Sequence, residues 1–209
     1  MSLRDVEELL FERGVVVSYE TIRRWCDKFG AGFARRVKVA RPKSGTTWHL
    51  DEVFVTLRGE PYLLWRTELD ILLQKRRDKA AAKRFFKRVL ASCSEVPRKI
   101  VTDQLRSYPA AKAEMPELAN VNHVFVKASA RLNNRAENSH QPTRERERRM
   151  RGFRVPERTQ AFPSSFEPIR QHFALKRHQL GASLYRKQLG DRFASWHRLT
   201  ELTQDPSAF

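Results

Sequence analysis

Asp51, Asp103 and Glu137 are the side chains of this sequence whose types and settings point to a reaction. Asp51 follows the apolar start of TTWHLDEVFV, Asp103 ends KIVTD, and Glu137 lies in the polar segment LNNRAENSH. Carboxylate oxygens are hard donors suited to hard divalent cations. Two Mg²⁺ ions about 4 Å apart can activate an attacking oxygen and stabilise a leaving one in phosphoryl displacement. Three clustered carboxylates repel one another by about 4 kcal/mol per pair at 4 Å with an effective dielectric near 20. Such a cluster is tolerable only around cations, so the expectation is two Mg²⁺ ions, with Mn²⁺ able to substitute, held by Asp51, Asp103 and Glu137. Each acid taken singly has a structural role open to it: an arginine pair for Asp51, a cap on the helix starting at Gln104 for Asp103, a capping box with Asn134 for Glu137. The combination carries the reading. Neighbouring Glu52 is set aside, because alternation along a strand puts it on the opposite sheet face from Asp51.

An acidic trio in a chain of net charge +17 makes sense if the substrate is a polyanion, and double-stranded DNA fits. The 209 residues suffice for one catalytic-size core and a small appendage. No apolar run approaches the roughly 20 residues that span a bilayer, and MSLRDVEELLFERG is acidic and amphipathic, unlike a signal peptide. The expectation is a soluble cytoplasmic protein. Cys26 and Cys93 lie far apart without metal-binding spacing and are expected as reduced, structural thiols. His123 and His140 flank Glu137, but five residues separate His172 from His178, which does not match a helical zinc pair. No GxSxG, P-loop or GxGxxG is present, leaving serine hydrolase, NTPase and dinucleotide readings without support.

The elements that must position the acids follow from periodicity. Residues 3–29 read as two short helices: Leu3, Val6 and Leu10 share one face of the first, Gly14 supplies a left-handed stop, and Ser18 caps the second. In the second, Ile22, Trp25, Cys26 and Phe29 fall at i, i+3, i+4, i+7, leaving Arg23, Arg24 and Lys28 outward as in a recognition helix. Residues 1–30 are thus expected to form a helix-turn-helix and 31–45 a basic linker. Strands are expected over Thr47–Leu57, Pro61–Trp65, Leu69–Gln74, Arg98–Thr102 and Val121–Val126, with helices over Asp78–Ser92, Gln104–Lys112 and from Asn133 onward. This order implies an α/β fold, a mixed sheet flanked by helices, in which the first and fourth strands can lie side by side. The compact domain is expected over 46–175 and a helical tail over 176–209. Arg144, seven residues after Glu137, shares its helix face and could contact a phosphate, although Pro142 bends the axis. Arg148 and Arg149 belong to a basic strip that can touch DNA or form ion pairs on a solvated face.

The segments SLRDVEELLFERGVVVSYETIRRW, TWHLDEVFV, KIVTDQLRSY and LNNRAENSHQPTRERERRM resemble insertion-sequence transposases of the IS-six family. The resemblance implies an RNase H-like DDE catalytic domain behind a helix-turn-helix, with Asp51, Asp103 and Glu137 as the triad. The interval from Asp103 to Glu137 is 34 residues (137 − 103), matching the family's spacing. The implied activity is Mg²⁺-dependent 3′ nicking at terminal inverted repeats and strand transfer into target DNA by a homodimer or larger assembly. Three departures stand out: less helical sequence before the start than is usual, only Arg66, Thr67 and Glu68 between the second and third strands, and Pro163 within a helical pattern. They predict a poorly specified hairpin, an interrupted helix and an impaired enzyme. The alternative reading is a remnant that binds element ends without catalysis; a structure-specific nuclease is a third.

Overall fold

A computed structural model describes residues 2–40, 45–93, 95–126, 134–149 and 152–201, with only the backbone described at 134–140 and 149. The chain divides into two compact units, Met1–Arg41 with Ser164–Phe209, and Pro42–Pro163.

In the first unit, α1 (Leu3–Phe11) opens with a capping box between Ser2 and Asp5, and Gly14 takes φ +77° in the turn that follows. Helix α2 (Tyr19–Val39) is capped by Ser18, whose hydroxyl accepts from the Thr21 amide at 3.2 Å. It is longer than the sequence suggests, running through the stretch expected as linker as far as Val39. Gly30 and Gly32 cost a helix only about 1 kcal/mol each, and Ala34 and Val37 are buried on the continued stripe. The expected apolar face nearer its start is only partly covered: Ile22 is buried, whereas Trp25 and Cys26 are exposed. Phe33 meets Trp196 of α7 (Ala182–Thr200) edge-on at 5.8 Å, and Arg36 Nη1 donates to the Leu199 carbonyl at 3.1 Å.

In the second unit the path Thr47–Leu57 forms β1 (Thr47–His49) and β2 (Asp51–Leu57), parted only by Leu50. Strand β1 pairs in parallel with β5 (Lys99–Thr102), which pairs in parallel with β6 (Asn122–Phe125). Strand β2 pairs antiparallel with β3 (Glu60–Arg66), and β3 with β4 (Ile71–Gln74). The Leu50 amide continues the parallel ladder by donating to the Val101 carbonyl at 2.9 Å. One strand path therefore joins a parallel three-stranded sheet to an antiparallel one, a mixed α/β arrangement flanked by helices.

Alternation assigns the two faces. Trp48, Leu50, Leu63, Trp65 and Ile100 pack with Phe85, Phe86 and Val89 of α3 (Lys79–Ala91) and Tyr108 of α4 (Ser107–Lys112). Val53, Val55, Leu57, Leu64 and Ile71 point the other way and pack with Phe153 and Phe162. On that side the Gln160 side chain closes the open edge of β4, accepting from the Leu73 amide at 2.7 Å and donating to the Ile71 carbonyl at 2.8 Å.

The two local defects expected from the sequence are absent here. Thr67–Asp70 makes a closed connection in which the Thr67 amide donates to the Asp70 carbonyl at 3.0 Å. Asp70 is buried and paired with Arg88 at 3.0 Å, so a tertiary ion pair specifies a turn that lacks Gly or Asn. Helix α6 (Pro156–Phe173) runs through Pro163 without a break in assignment. Helix α5 (Asn134–Arg149) likewise contains Pro142. Among the described residues no helix is long and apolar enough to cross a membrane.

Candidate active site

The parallel ladder positions the two aspartates. Thr47 pairs with Lys99 and His49 with Val101, a constant offset of 52 (99 − 47 and 101 − 49). Continued by two residues, that offset would put Asp103 (51 + 52), just past the end of β5, opposite Asp51, the first residue of β2. Two hard carboxylates from adjacent strands at the carboxyl end of a parallel pair are a donor set suited to a divalent cation. Asp51 Oδ1 accepts from the Glu52 amide at 2.9 Å, and Asp103 Oδ1 accepts from the Leu105 amide at 3.0 Å. Each bond fixes one oxygen of its carboxylate.

Glu137 lies on α5, and its side chain is outside the described residues, as is that of Arg149. One contact links this helix to the sheet. Arg66 faces Asp51 directly across the β2–β3 ladder, and its Nη1 reaches Thr143 Oγ1 of α5 at 3.4 Å. Thr143 follows Glu137 by six residues (143 − 137), about 9 Å along a helix axis. Among the described side chains no cluster of three or more candidate metal ligands forms.

On the other face the structure shows what the sequence reading set aside. Glu52 does point away from Asp51, toward α3 and α4, but its side chain is only 1% exposed and is engaged with the same site. Arg77, in the loop before α3, donates to Glu52 Oε2 at 2.9 Å and to Asp103 Oδ2 at 3.1 Å. Its guanidinium lies 5.8 Å from the centre of the Phe54 ring. Burial raises the Glu52 pKa and the charge of Asp103 adds to the rise, while the Tyr108 hydroxyl and Arg77 oppose it. Tyr108 is fully buried; burial and then the Glu52 carboxylate push its hydroxyl pKa well up. Neither the Tyr108 hydroxyl nor Glu52 Oε1 has another hydrogen-bond partner of good geometry among the described residues, so each is the partner available to the other. No sequence signal separates Arg77 from its neighbours Lys75 and Arg76; only the fold selects it.

The basic residues expected at DNA differ in availability. Arg24 and Lys28 are exposed, with Lys28 Nζ 5.2 Å from the Phe29 ring centre. Arg23 is half-buried and forked onto Glu20. Arg144 and Arg148 are exposed on α5. Of the histidines, His172 is engaged with the Arg192 carbonyl at 2.9 Å, and His123 with Thr102 Oγ1 at 2.9 Å.

Comparison with known proteins decides the family. A family model for a DDE domain matches residues 45–177. The transposase for insertion sequence-like element IS431mec of Staphylococcus aureus is 30% identical over 165 residues, covering 76% of this chain and 73% of that one. The chain belongs to the IS-six family of insertion-sequence transposases. A further relative is the transposase for insertion sequence element IS257 in transposon Tn4003 of Staphylococcus aureus, 29% identical over the same share of each chain. Among solved structures, the HTLV-2 integrase catalytic core domain in complex with magnesium (dimeric form) is 13% identical with a TM-score of 0.37, covering 48% of this chain and 70% of that one. The simian T-cell lymphotropic virus intasome in complex with PP2A regulatory subunit B56 gamma is 13% identical with a TM-score of 0.41, covering 59% and 49%. Likeness of that depth carries nothing about chemistry. As an IS-six transposase, the chain places its matched DDE segment across the sheet unit and both aspartates.

Proposed function

We propose that the chain is a DNA transposase that nicks the 3′ ends of its insertion sequence and joins them to target DNA, using Asp51, Asp103 and Glu137. The observation that supports this is the parallel pairing of β1 with β5, the strands that lead to Asp51 and Asp103, in a member of a DDE family. Asp51, Asp103 and Glu137 would hold two Mg²⁺ ions, or Mn²⁺ in their place, which when bound lower the barrier to attack and neutralise the leaving oxygen. In the nicking step water attacks phosphorus, the P–O3′ bond breaks, and the element end is left with a 3′-hydroxyl. In the joining step that hydroxyl forms a new P–O bond to target DNA and displaces a target 3′-hydroxyl, with one phosphodiester exchanged for another.

The remaining residues hold this site and its substrate. Hydrogen bonds from the Glu52 and Leu105 amides keep the two aspartates in fixed rotamers. Arg66 of β3, bonded to Thr143 of α5, would help hold the Glu137 helix near the sheet. Arg24, Lys28, Arg144 and Arg148 are exposed and would contact phosphates, and Arg23 and Arg149 join them in the sequence reading. Terminal inverted repeats, target duplex and a second copy of the chain are the proposed partners, in a cytoplasmic, nucleoid-associated setting.

The test is incubation of the full chain with labelled element-end duplex, a second duplex, and Mg²⁺ or Mn²⁺. A 3′ nick followed by a joined product is expected. Binding with no cleavage under either cation overturns the enzyme in favour of a DNA-binding remnant, and cleavage that never leads to joining favours a nuclease.

A further inference from the structure

Asp103 is held by two bonds of different origin. Its Oδ1 bond to the Leu105 amide is local, formed within two residues of its own strand end. Its Oδ2 bond, to Arg77 at 3.1 Å, comes from a loop 26 residues away and depends on where Arg77 is held. Arg77 is 39% exposed, so burial alone does not fix it. Glu52 does: its Oε2 accepts from both Nε, at 3.1 Å, and Nη2, at 2.9 Å, two charge-assisted bonds that hold this edge of the guanidinium fork. Phe54 lies beneath that plane, and Tyr108 closes the buried side of Glu52. Residues on the sheet face opposite Asp51 thus control the rotamer of its proposed co-ligand.

We propose that Glu52, acting through Arg77, is a positioning residue for the divalent-cation site, holding the Asp103 carboxylate in its ligating orientation. The inference rests on the cation-binding reading of Asp51 and Asp103. The Glu52 and Arg77 charges sum to zero, so the pair orients Asp103 without changing the net charge of the site. Partners that orient a ligating group typically cost 10- to 100-fold in metal affinity when removed.

The experiment is Mn²⁺ titration of the full chain without DNA, read by electron paramagnetic resonance, so that no activity is needed. The double variant Glu52→Gln/Arg77→Gln keeps the net charge and removes the fork. It is expected to bind Mn²⁺ about 10- to 100-fold more weakly than wild type, with Glu60→Gln, a surface carboxylate paired with Lys75, unchanged. Should the double variant not fold, as judged by its melt, Arg77→Lys serves in its place. It retains the charge but cannot grip both carboxylates as a fork, and a weaker binding of the same sign is expected. Affinity within twofold of wild type in a folded variant overturns the inference, and so does tighter binding, which would make Arg77 a competitor of the metal. Asp103→Asn separates this failure from that of the underlying reading. If wild type and Asp103→Asn bind Mn²⁺ equally, the cation site itself is refuted and the inference falls with it.

Discussion

The sheet unit and the helical unit bury their apolar residues to very different depths. In the first, Trp65, Phe85, Phe86 and Ile100 have no exposed surface, and separate cores lie on the two sides of the antiparallel strands. In the second, neither α1 nor α7 has a fully buried residue, and Phe11, Trp25 and Phe193 are exposed. The lesson is about where precision is needed. Carboxylates that share a cation would need a closely held register, and a parallel strand pair packed on the larger core supplies one. Contacts to phosphates tolerate a looser support, because the attraction is electrostatic and without sharp geometry.

Metal removal would open the comparison widest. Chelation with EDTA is expected to abolish cleavage and joining, a loss of several kcal/mol in barrier lowering, about 10³-fold or more, while retention of DNA in a mobility-shift assay persists. Loss of DNA binding on chelation would show that the two units do not divide the work this way. Core truncation comes next. Phe85→Ala is expected to destabilise the sheet unit by about 3–5 kcal/mol in urea unfolding, whereas Trp25→Ala, at an exposed position, should change stability by about 0.5 kcal/mol or less. Equal costs would erase the contrast.

Asp70→Asn tests the turn that the sequence reading found deficient. It removes the charge that pairs with Arg88 and should cost about 1–3 kcal/mol in the same unfolding measurement. A neutral result would return the hairpin to the poorly specified state expected from its residues. On the helical side, Arg24→Ala and Lys28→Ala should each lower the slope of log binding constant against log salt by about 1, without altering the melt. The smallest effect concerns pH. Burial, and then Lys112, lower the His123 pKa, so its folded value lies below its unfolded one. The stability it contributes is full above about pH 6.5 and is lost as pH falls through the folded pKa. His123→Gln should flatten that acid-side decline in a pH series of melts.

Much of the sheet was legible because its strands are short, β-branched and bounded by breakers, and because a helix over Lys79–Ala91 carries a strict apolar stripe. The neighbouring placement of the Asp51 and Asp103 strands also followed from element order alone. Other features depended on tertiary partners that no local pattern reveals. The length of α2 was missed because Gly30, Gly32 and the basic residues after them resemble a linker, while Ala34 and Val37 are buried by distant chain. The turn at Thr67–Asp70 was misjudged because an ion pair with Arg88 replaces turn chemistry. Glu52 was placed on the correct face and then dismissed, since alternation says where a side chain points but not that Arg77 bridges it to Asp103.

The most direct trial of the central claim is Asp103→Asn, assayed beside wild type for element-end binding and for end joining with Mg²⁺. The substitution preserves size and the acceptor for the Leu105 amide while removing the charge a cation requires. Binding within about twofold of wild type, with joining lost by about 10³-fold or more, is the predicted result. Joining at an undiminished rate would contradict the account, because the Asp103 carboxylate would then have no part in the chemistry.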